Sequence, residues 1–537
     1  MKHYRQLQSS RLWRYGSYLI AFMTLCPVVA VFASWLLPIS EHWSHLADHL
    51  LLKLVINSFV LLCGVVSLSF VLGVTSAWFI SQYPIPGKAW LRTALVLPMA
   101  IPAYVNGFIY LGIWDYSGPI HSSLREFGVE GLLFEIRSLP GVIWILSLGL
   151  YPYVYLMSRQ AFESQGARLI EAGRSLGMPI PKIFWNLAVP MAKPWILGSL
   201  ALVAMETLAD FGTVSIFGVD TFTTAIYKSW YGFFSPVTAA QLSSFLLVIA
   251  FAVLSFERFS RRRQSFFMPI GGGQRQLEFR RPWQGYMISL ALHVLLLVGF
   301  IIPIIQLAIW SGEFFSADFP SLVAIGKNSL LVGGATAVFV VMLSLILIFG
   351  YRFFPIRKLQ IASNLAILGY ALPGSVLAIG VFMPLVELDN LIADAVMAVS
   401  GWDPGLIFTG GLAVLVLGLG IRFLAVGHAT ISSSQERTSF RIDEAAYNFG
   451  VYGLKQLRLI HLPVLWKAIA AAMVLVFIDV IKEMPLTLMT RPFGWDTLSV
   501  RIFELISEGE WERAALPSLV LVALGLIPVL IFKGEKT

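Results

Sequence analysis

Four acidic residues lie inside long apolar runs of the sequence. Glu206 pairs with Asp210 and Asp479 with Glu483, each at i, i+4 spacing, which places each pair on one face of a helix. The two pairs are related by an offset of 273 residues. An ionisable group inside a membrane span costs about 2.5–3.5 kcal/mol on insertion scales and normally faces a cavity or a partner. We therefore predict a water-filled path lined with carboxylates, whose hard oxygens favour a hard cation over a phosphate or sulfate.

The same four residues also have a structural interpretation, which the sequence leaves open. In this interpretation the four residues lie near the outer ends of the spans, where burying a charge costs less free energy, or they form ion pairs with Lys482. Gly212 and Pro485 follow the two pairs closely and predict a break in each helix. Such breaks are typical of the discontinuous helices that line transporter sites.

A second pattern recurs at the same offset of 273 residues. Residues 444–463 follow E-A-A-x3-G-x9-I-x-L-P, and residues 171–190 are a degenerate copy that departs at Gly173, Leu187 and Val189. Alanines permit close helix approach, and the glycine can end the helix with a positive φ. The apolar spacing after the glycine predicts a short amphipathic helix that presents one face to a partner, ended by the proline before the next span. The residues assigned to docking are Glu171, Ala172, Gly173, Gly177, Pro190, Glu444, Ala445, Ala446, Gly450 and Pro463.

The composition indicates a polytopic membrane protein. The chain has 537 residues, of which 57% are hydrophobic and only 13% charged. Helices rather than a barrel are predicted, because the apolar runs reach about 20 residues without strict alternation. The two cysteines, Cys26 and Cys63, lie in apolar runs and indicate packing residues rather than a zinc site or a disulfide. The first run is too long for a signal peptide and is interpreted as a retained span.

Twelve apolar runs predict twelve spans, six in each half of the chain. They are residues 17–38, 54–80, 90–113, 139–158, 192–216, 238–256, 286–310, 328–350, 360–386, 406–430, 466–490 and 515–532.

The distribution of basic residues predicts the orientation in the membrane. If the N-terminus is inside, 29 of the 38 Lys and Arg residues fall on the inner side, so both termini are predicted to face the cytoplasm. Both docking segments then lie in inner loops. The net charge of +8 is explained by membrane lipid with anionic head groups and needs no nucleic-acid partner.

Six spans per half place both halves in the same orientation, as parallel repeats. We predict an all-α polytopic membrane protein with a first repeat over residues 1–256, a cytoplasmic linker over 257–284 and a second repeat over 285–537. The linker contains three arginines at 261–263 and three glycines at 271–273, which predict a flexible joint. Further landmarks recur 271 residues apart, namely Asn57-Ser58 with Asn328-Ser329 and Pro102 with Pro373.

The docking segments resemble the ATPase-docking loops of ABC-importer permeases. The fused twelve-span layout, with Glu-Thr-Leu-Ala-Asp-Phe-Gly-Thr from Glu206 and Lys-Glu-Met-Pro-Leu-Thr-Leu from Lys482, followed by Arg-Pro-Phe from Arg491, is similar to the ferric-iron importer permeases. The resemblance implies a type I ABC-importer permease fold in a bacterial inner membrane. It also implies loops that dock in clefts of a separate ATPase dimer at the cytoplasmic face, and a periplasmic or extracytoplasmic binding protein that delivers substrate. Fused thiamine permeases share this architecture, so thiamine or another organic cation is the alternative substrate.

The sequence contains no G-x-x-x-x-G-K-[ST] phosphate loop, so we expect ATP to bind the partner ATPase and no cofactor to be bound by this chain. The chain is therefore expected to be a permease subunit and not an enzyme. Two roles are open for Glu171 and Glu444: they form ion pairs with arginines of the ATPase, or they stabilise their own helices through the helix dipole. The alternative class is an ion-coupled secondary transporter, in which the buried carboxylates would carry protons or sodium.

One outer segment carries three histidines, His42, His45 and His49, on roughly one helical face. Imidazole is a common metal ligand, so a metal site is conceivable there. We interpret the segment instead as an interfacial helix anchored by Trp43, or as a contact surface for the binding protein. No metal site is assigned.

Overall fold

The computed structural model describes residues 2–116, 118–127, 135–261, 277, 279 and 281–534, and every regular element in that part of the chain is helical. The helices of the first half are α1 (Lys2–Ala33), α2 (Glu41–His45), α3 (Leu51–Gln82), α4 (Lys88–Ala94), α5 (Ala103–Trp114), α6 (Pro119–Glu126), α7 (Leu139–Ser175), α8 (Ile180–Ile183), α9 (Val189–Ala209), α10 (Gly212–Ile216), α11 (Phe222–Tyr227) and α12 (Pro236–Arg261). Those of the second half are α13 (Pro282–Leu296), α14 (Ile302–Phe353), α15 (Arg357–Ala366), α16 (Gly374–Ser400), α17 (Leu412–Glu436), α18 (Arg441–Asn448), α19 (Leu454–Gln456), α20 (Leu462–Lys482), α21 (Pro485–Thr490), α22 (Leu498–Ser507) and α23 (Trp511–Gly534).

The predicted all-helical membrane class is confirmed. Among the described residues, ten helical stretches are long and apolar enough to cross a membrane. An eleventh is obtained if Lys88–Ala100 and Ala103–Glu126, which meet at 90°, form one broken span. That pair covers the predicted span 90–113, and the break falls at Pro102, whose ring fixes φ and removes a donor. The last predicted span, 515–532, lies within α23.

One compact unit comprises Leu46–Thr224, Val248–Asp318 and Ile502–Thr537. In this unit α3 packs along α7, and α9 packs on both. Tyr151, Tyr155 and Phe162 of α7 are fully buried in the shared core. The unit therefore holds the first docking segment on helices whose membrane portions are closely packed.

The other compact unit comprises Met1–His45, Ala225–Leu247 and Phe319–Arg501. Here α1 packs along α15 and α16, and α17 packs along α20. Each unit thus combines helices from both halves of the sequence. The predicted repeats correspond to the two halves of the chain, whereas each compact unit contains segments from both halves.

Most of the predicted linker, including Arg262, Arg263 and the three glycines, lies outside the described residues. Its described end packs on α3. Leu277 is buried, and its main-chain nitrogen donates to the Gln82 carbonyl at 2.7 Å. The ring of Phe279 stacks on Tyr83 with 4.5 Å between centroids.

The sequence repeat recurs as a repeated local contact. The Ser58 hydroxyl of α3 accepts a hydrogen bond from the main-chain nitrogen of Phe222 at 3.3 Å, at the start of α11. The Ser329 hydroxyl of α14 accepts the equivalent bond from Leu498 at 2.8 Å, at the start of α22. In both cases a serine of a long helix satisfies a main-chain donor that the first turn of a short helix leaves without an intrahelical partner.

Candidate docking loops and acidic helix breaks

The first docking segment is the C-terminal end of α7. Its Glu171 and Ala172 are exposed, and Gly177 follows the helix with φ +70°. The Met178 nitrogen donates to the Gly173 carbonyl at 3.0 Å, and the Gly177 nitrogen donates to Arg174 at 2.9 Å. These two bonds form a Schellman motif, which satisfies the last carbonyls of a helix and requires a left-handed residue at the glycine.

The second docking segment forms α18 and ends in the same way. Its Glu444 and Ala445 are exposed, and Gly450 has φ +73°. The Gly450 nitrogen donates to the Tyr447 carbonyl at 3.0 Å, and the next nitrogen donates to the Ala446 carbonyl at 2.9 Å. The predicted positive φ is therefore confirmed for both glycines.

The prediction of a separate short helix after each glycine is wrong. Residues 180–183 and 454–456 are helical, but each continues through a π-helical turn into the next span. Pro190 and Pro463 lie in the first turn of α9 and α20, directly after the turn. A proline lacks the N–H and clashes with the carbonyl four residues earlier, and the wider π turn relieves that clash without ending the helix.

Gly173, where the first segment departs from the motif, is explained by its neighbours. A Cβ at Gly173 would lie 2.7 Å from Ile183 Cγ1 and 3.2 Å from Leu187 Cδ1. The glycine thus admits two apolar side chains of the following helix. In the second segment Ala446 occupies the matching position and is buried.

Each docking segment also exposes a bulky apolar side chain that we did not predict. Leu176 is 71% exposed and Phe449 is 86% exposed, and each directly precedes its glycine at the same repeat position. The recurrence of a bulky exposed apolar residue at the same position of both segments fits an anchor for a protein partner. The signal available in the sequence was the large apolar residue before both glycines.

A buried ionic cluster beneath α18 was also missed. It consists of Arg352, Asp443, Gln456 and His461, and is here named the Asp443 cluster. Arg352 Nη2 lies 2.6 Å from Asp443 Oδ2, while Oδ1 accepts from Gln456 at 2.7 Å and lies 2.8 Å from His461 Nε2. The Arg352 side chain is 2% exposed and that of His461 is fully buried. Comparison of the two repeats would have revealed it, since the positions matching Asp443 and His461 in the first repeat carry apolar residues.

The first acidic pair lies at a break between α9 and α10, as Gly212 predicted. Asp210 ends α9 with extended backbone (ψ 125°). Its Oδ2 accepts from the Thr213 hydroxyl at 2.9 Å and its Oδ1 from the Val214 nitrogen at 3.1 Å. The carboxylate therefore caps α10, with Glu206 one turn earlier on α9.

The second pair lies at an equivalent break between α20 and α21. Glu483 ends α20 with ψ 123°. Its two carboxylate oxygens accept from the nitrogens of Leu486 and Thr487, each at 3.0 Å. Asp479 lies one turn earlier and interacts with Lys482. The predicted breaks at both pairs are confirmed, and Asp210 and Glu483 both have a capping role.

Positive charge accompanies only the second pair at the matching positions. A Cβ at Gly374 would lie 2.5 Å from Glu483 Oε1 and 3.0 Å from Arg422 Nη1, so these two groups are close to each other. The residues of the first repeat that match Arg422 and Lys482 are Gly149 and Ala209, which carry no charge.

The histidine-bearing segment forms α2 and the π-helical turn that follows it. His42 stacks on Phe233 at 5.2 Å, and Trp43 packs edge-on against Trp35 at 5.3 Å. Within the described residues no group of three or more His, Cys, Asp or Glu side chains could hold a metal ion.

The comparisons with known proteins agree with this architecture. Residues 69–265 match the profile of the family described as "Binding-protein-dependent transport system inner membrane component". This part of the chain is therefore similar to the inner membrane components of binding-protein-dependent transport systems. The matched region contains the first docking segment and the first acidic pair.

Three relatives extend the comparison. The chain is 27% identical to the Fe(3+)-transport system permease protein FbpB 2 of Haemophilus influenzae over 491 residues, which cover 90% of this chain and 89% of that protein. It is 26% identical to the sulfate transport system permease protein CysW of Escherichia coli, over 37% of this chain and 68% of that protein. It is 28% identical to the molybdenum transport system permease protein ModB of Escherichia coli, over 27% of this chain and 62% of that protein. The chain is thus similar to multi-pass permease subunits of binding-protein-dependent ABC importers and resembles the fused ferric-iron permeases over its length.

Proposed function

We propose that the permease imports ferric iron across a bacterial inner membrane. The observation that carries this proposal is the extent of the similarity to the Fe(3+)-transport permease, which covers 90% of the chain and therefore both halves. The sulfate and molybdenum permeases match only 37% and 27% of the chain. This difference in coverage is what favours iron over sulfate and molybdate.

The two docking segments are proposed to seat the two copies of a separate ATPase at the cytoplasmic face. Their shared surface consists of an exposed glutamate and alanine, a left-handed glycine and an exposed apolar residue before it. ATP binds and is hydrolysed in the ATPase, and the movement of its clefts is transmitted through the docking helices to the spans. A binding protein delivers the substrate from outside, and both termini of the permease face the cytoplasm.

The acidic helix breaks support a cationic substrate. Each oxygen of Asp210 and Glu483 accepts one or two capping hydrogen bonds. Because a carboxylate has about four lone-pair sites, sites for a cation are left on these groups. Glu206 and Asp479 lie one turn away on the same helices. Carboxylate oxygens suit a hard cation rather than sulfate or molybdate, and this preference rests on the first pair, because Arg422 and Lys482 lie beside the second. Thiamine or another organic cation remains the alternative substrate within the class, and the family match disfavours an ion-coupled secondary transporter.

Uptake by the reconstituted complex tests the substrate. Permease, ATPase and binding protein in proteoliposomes are supplied with radiolabelled ferric iron, sulfate, molybdate or thiamine. We expect ATP-dependent accumulation of iron alone. Accumulation of sulfate or molybdate in place of iron would contradict the assignment of a cation, and accumulation of thiamine would contradict iron while leaving the cationic path intact.

An ATPase assay on the isolated chain tests whether ATP is hydrolysed by a separate subunit. Purified without partners, the permease is expected to show no ATPase activity above background, because its sequence lacks a phosphate loop. Hydrolysis by the isolated chain would overturn the assignment as a permease subunit.

A further inference from the structure

The two docking helices are joined to their preceding spans in different ways. The first is the last part of α7, one uninterrupted helix of 37 residues. The second, α18, is separated from α17 by the non-helical residues 437–440. After Pro152, α7 runs to the first docking helix with an unbroken ladder of main-chain hydrogen bonds that can transmit a displacement, and the second docking helix lacks that ladder at the gap.

Arg352 of α14 lies at this gap. Its guanidinium donates to the main-chain carbonyls of Gln435 (3.3 Å), Thr438 (3.2 Å) and Ser439 (3.3 Å). A helix leaves its last carbonyls without intrahelical donors, and the negative end of the helix dipole favours a cation there. Arg352 thus supplies, across the gap, bonds that helix continuity supplies in α7.

The same guanidinium also holds the docking helix. Its Nε donates to Asp443 Oδ2 at 2.8 Å, one residue before the exposed Glu444. Through its other oxygen, Asp443 bonds Gln456 and His461 at the entry to α20. The Phe440 ring lies 4.7 Å from the guanidinium carbon and covers it within the gap. One arginine therefore connects α14, the end of α17 and α18, and its carboxylate partner extends the connection to α20.

The first repeat carries apolar residues at the positions that match three members of this cluster. Ile170, Ile183 and Ala188 occupy the positions that match its acidic, amide and imidazole members, and all three are buried. A buried ion pair is not in general more stabilising than well-packed apolar residues of similar size. At these described positions the polar members occur only beneath the interrupted helix, so we relate their role to the interruption rather than to stability alone.

We infer that Arg352 is a positioning residue that makes the second docking helix move as one body with α14 and α17. The inference rests on the proposed function and deepens it, because it assigns how the second loop transmits the ATPase movement. A lysine cannot replace the arginine, since an ammonium is a point charge that lacks the planar fork needed to bond the carboxylate and the carbonyls together.

The first arm of the test measures rigidity across the gap with spin labels on the full chain. Ser433 and Tyr447 flank the gap, and Gln160 and Arg174 are the matching positions on α7. All four residues are exposed. In the continuous helix the separation of 14 residues corresponds to about 21 Å, and we expect a narrow distance distribution for both pairs.

The labels are attached to cysteines introduced at these positions, in a background in which the two native cysteines are removed by Cys26→Ala and Cys63→Ala. The variant for this arm is Arg352→Lys in that background. We expect the distribution of the 433–447 pair to broaden and that of the 160–174 pair to stay unchanged. A 433–447 distribution as narrow as that of the parent would overturn the inference. This arm needs no ATPase and no substrate, so its result stands apart from the outcome of the proposed function.

The second arm measures transport per ATP hydrolysed by the reconstituted complex. For Arg352→Lys we expect a fall of about fivefold or more, the range of a coupling free energy between two sites. The control is Asp389→Asn, because Asp389 is a fully buried carboxylate of the same unit that bonds a different loop, through Phe408 and Thr409. The control is expected to lower Tm and leave the transport ratio unchanged. An unchanged ratio in Arg352→Lys, or an equal loss in the control, would overturn the inference, whereas absence of ATP-dependent iron uptake by the parent complex would overturn the proposed function instead.

Discussion

The two docking regions present the same external features on different internal supports. Both end in a glycine of positive φ, both expose a bulky apolar residue before it, and both enter the next span through a π-helical turn. Beneath this surface the first region is a continuous helix on apolar neighbours, and the second is a separate helix on the Asp443 cluster. The comparison indicates that the two copies share what a partner would touch and differ in how that surface is connected to the membrane helices.

The largest expected effect comes from a bulky residue at the docking glycine. Gly450→Arg should reduce transport by about tenfold or more, since a left-handed residue other than glycine costs about 1–2 kcal/mol and the long side chain obstructs the partner cleft. Insertion in the membrane should be retained. Gly177→Arg is the matched variant and should be no more severe. ATPase co-purification and transport are the measurements.

Asparagine provides the control for that prediction. Gly450→Asn should stay close to the parent, because asparagine tolerates the left-handed region. Normal transport and co-purification in both arginine variants would refute the docking assignment.

The next effect concerns the acidic pairs. Glu206→Gln with Asp210→Asn should lower iron flux per folded molecule by about fivefold, equivalent to about 1 kcal/mol of attraction for the cation. Asn and Gln keep the size of the side chains, so packing loss is a small confounder, and each amide retains one of the two acceptor oxygens that cap the following helix. Asp479→Asn with Glu483→Gln should lower flux less, because Lys482 already offsets that pair.

Transport and melting curves recorded on the same preparations separate the two interpretations of the pairs. Unchanged flux with a lowered Tm in both double variants would mean that the carboxylates are structural, and the inference of a cationic substrate would lose its support. An equal flux loss for both pairs would show that the two pairs do not differ in effect, and the inference of an acidic substrate path would still stand.

A smaller effect, on stability, is expected at the second break. Gly374→Ala should reduce the free energy of unfolding by about 1–3 kcal/mol, because the added Cβ would lie 2.5 Å from Glu483 Oε1 and displace the cap of α21. Ala103 occupies the matching position of the first repeat, so Ala103→Gly is the control and should cost less than about 1 kcal/mol. Thermal melting checks both. A Gly374→Ala variant as stable as the parent would show that the carboxylate is not held there.

The smallest net effect is expected at Gly173. Gly173→Ala restores the motif alanine and gains about 1 kcal/mol of helix propensity, but its Cβ would lie 2.7 Å from Ile183 Cγ1. The two terms nearly cancel. Adding Ile183→Ala should reveal an interaction energy of about 1 kcal/mol in a double-mutant cycle of Tm values. Additive effects would mean that Ile183 is not the reason for the glycine.

Sequence periodicity was sufficient for features that depend on local physics. The spans follow from uninterrupted apolar length, and the positive φ of Gly177 and Gly450 follows from glycine at a helix end. The breaks at the acidic pairs follow from Gly212 and Pro485. In these cases a few neighbouring residues determine the conformation.

Features that depend on distant partners were not predictable in the same way. The bonds of Arg352 join residues 83 to 91 positions apart, and nothing in the local sequence specifies them. The exchange of helices between the halves is likewise a property of packing across the whole chain. The π-helical turns were not predicted, because each proline was interpreted as the end of a helix. A local widening of the helix accommodates the proline instead.

Photocross-linking tests the claim that each docking loop seats an ATPase. A photoreactive phenylalanine analogue is placed at Leu176 or Phe449, which are 71% and 86% exposed, and at Trp402 as an exposed control in the predicted outer loop between α16 and α17. We predict that both docking positions capture the same nucleotide-binding polypeptide and that the control captures none. Failure of both docking positions to capture such a polypeptide, or equal capture at the control, would contradict the claim.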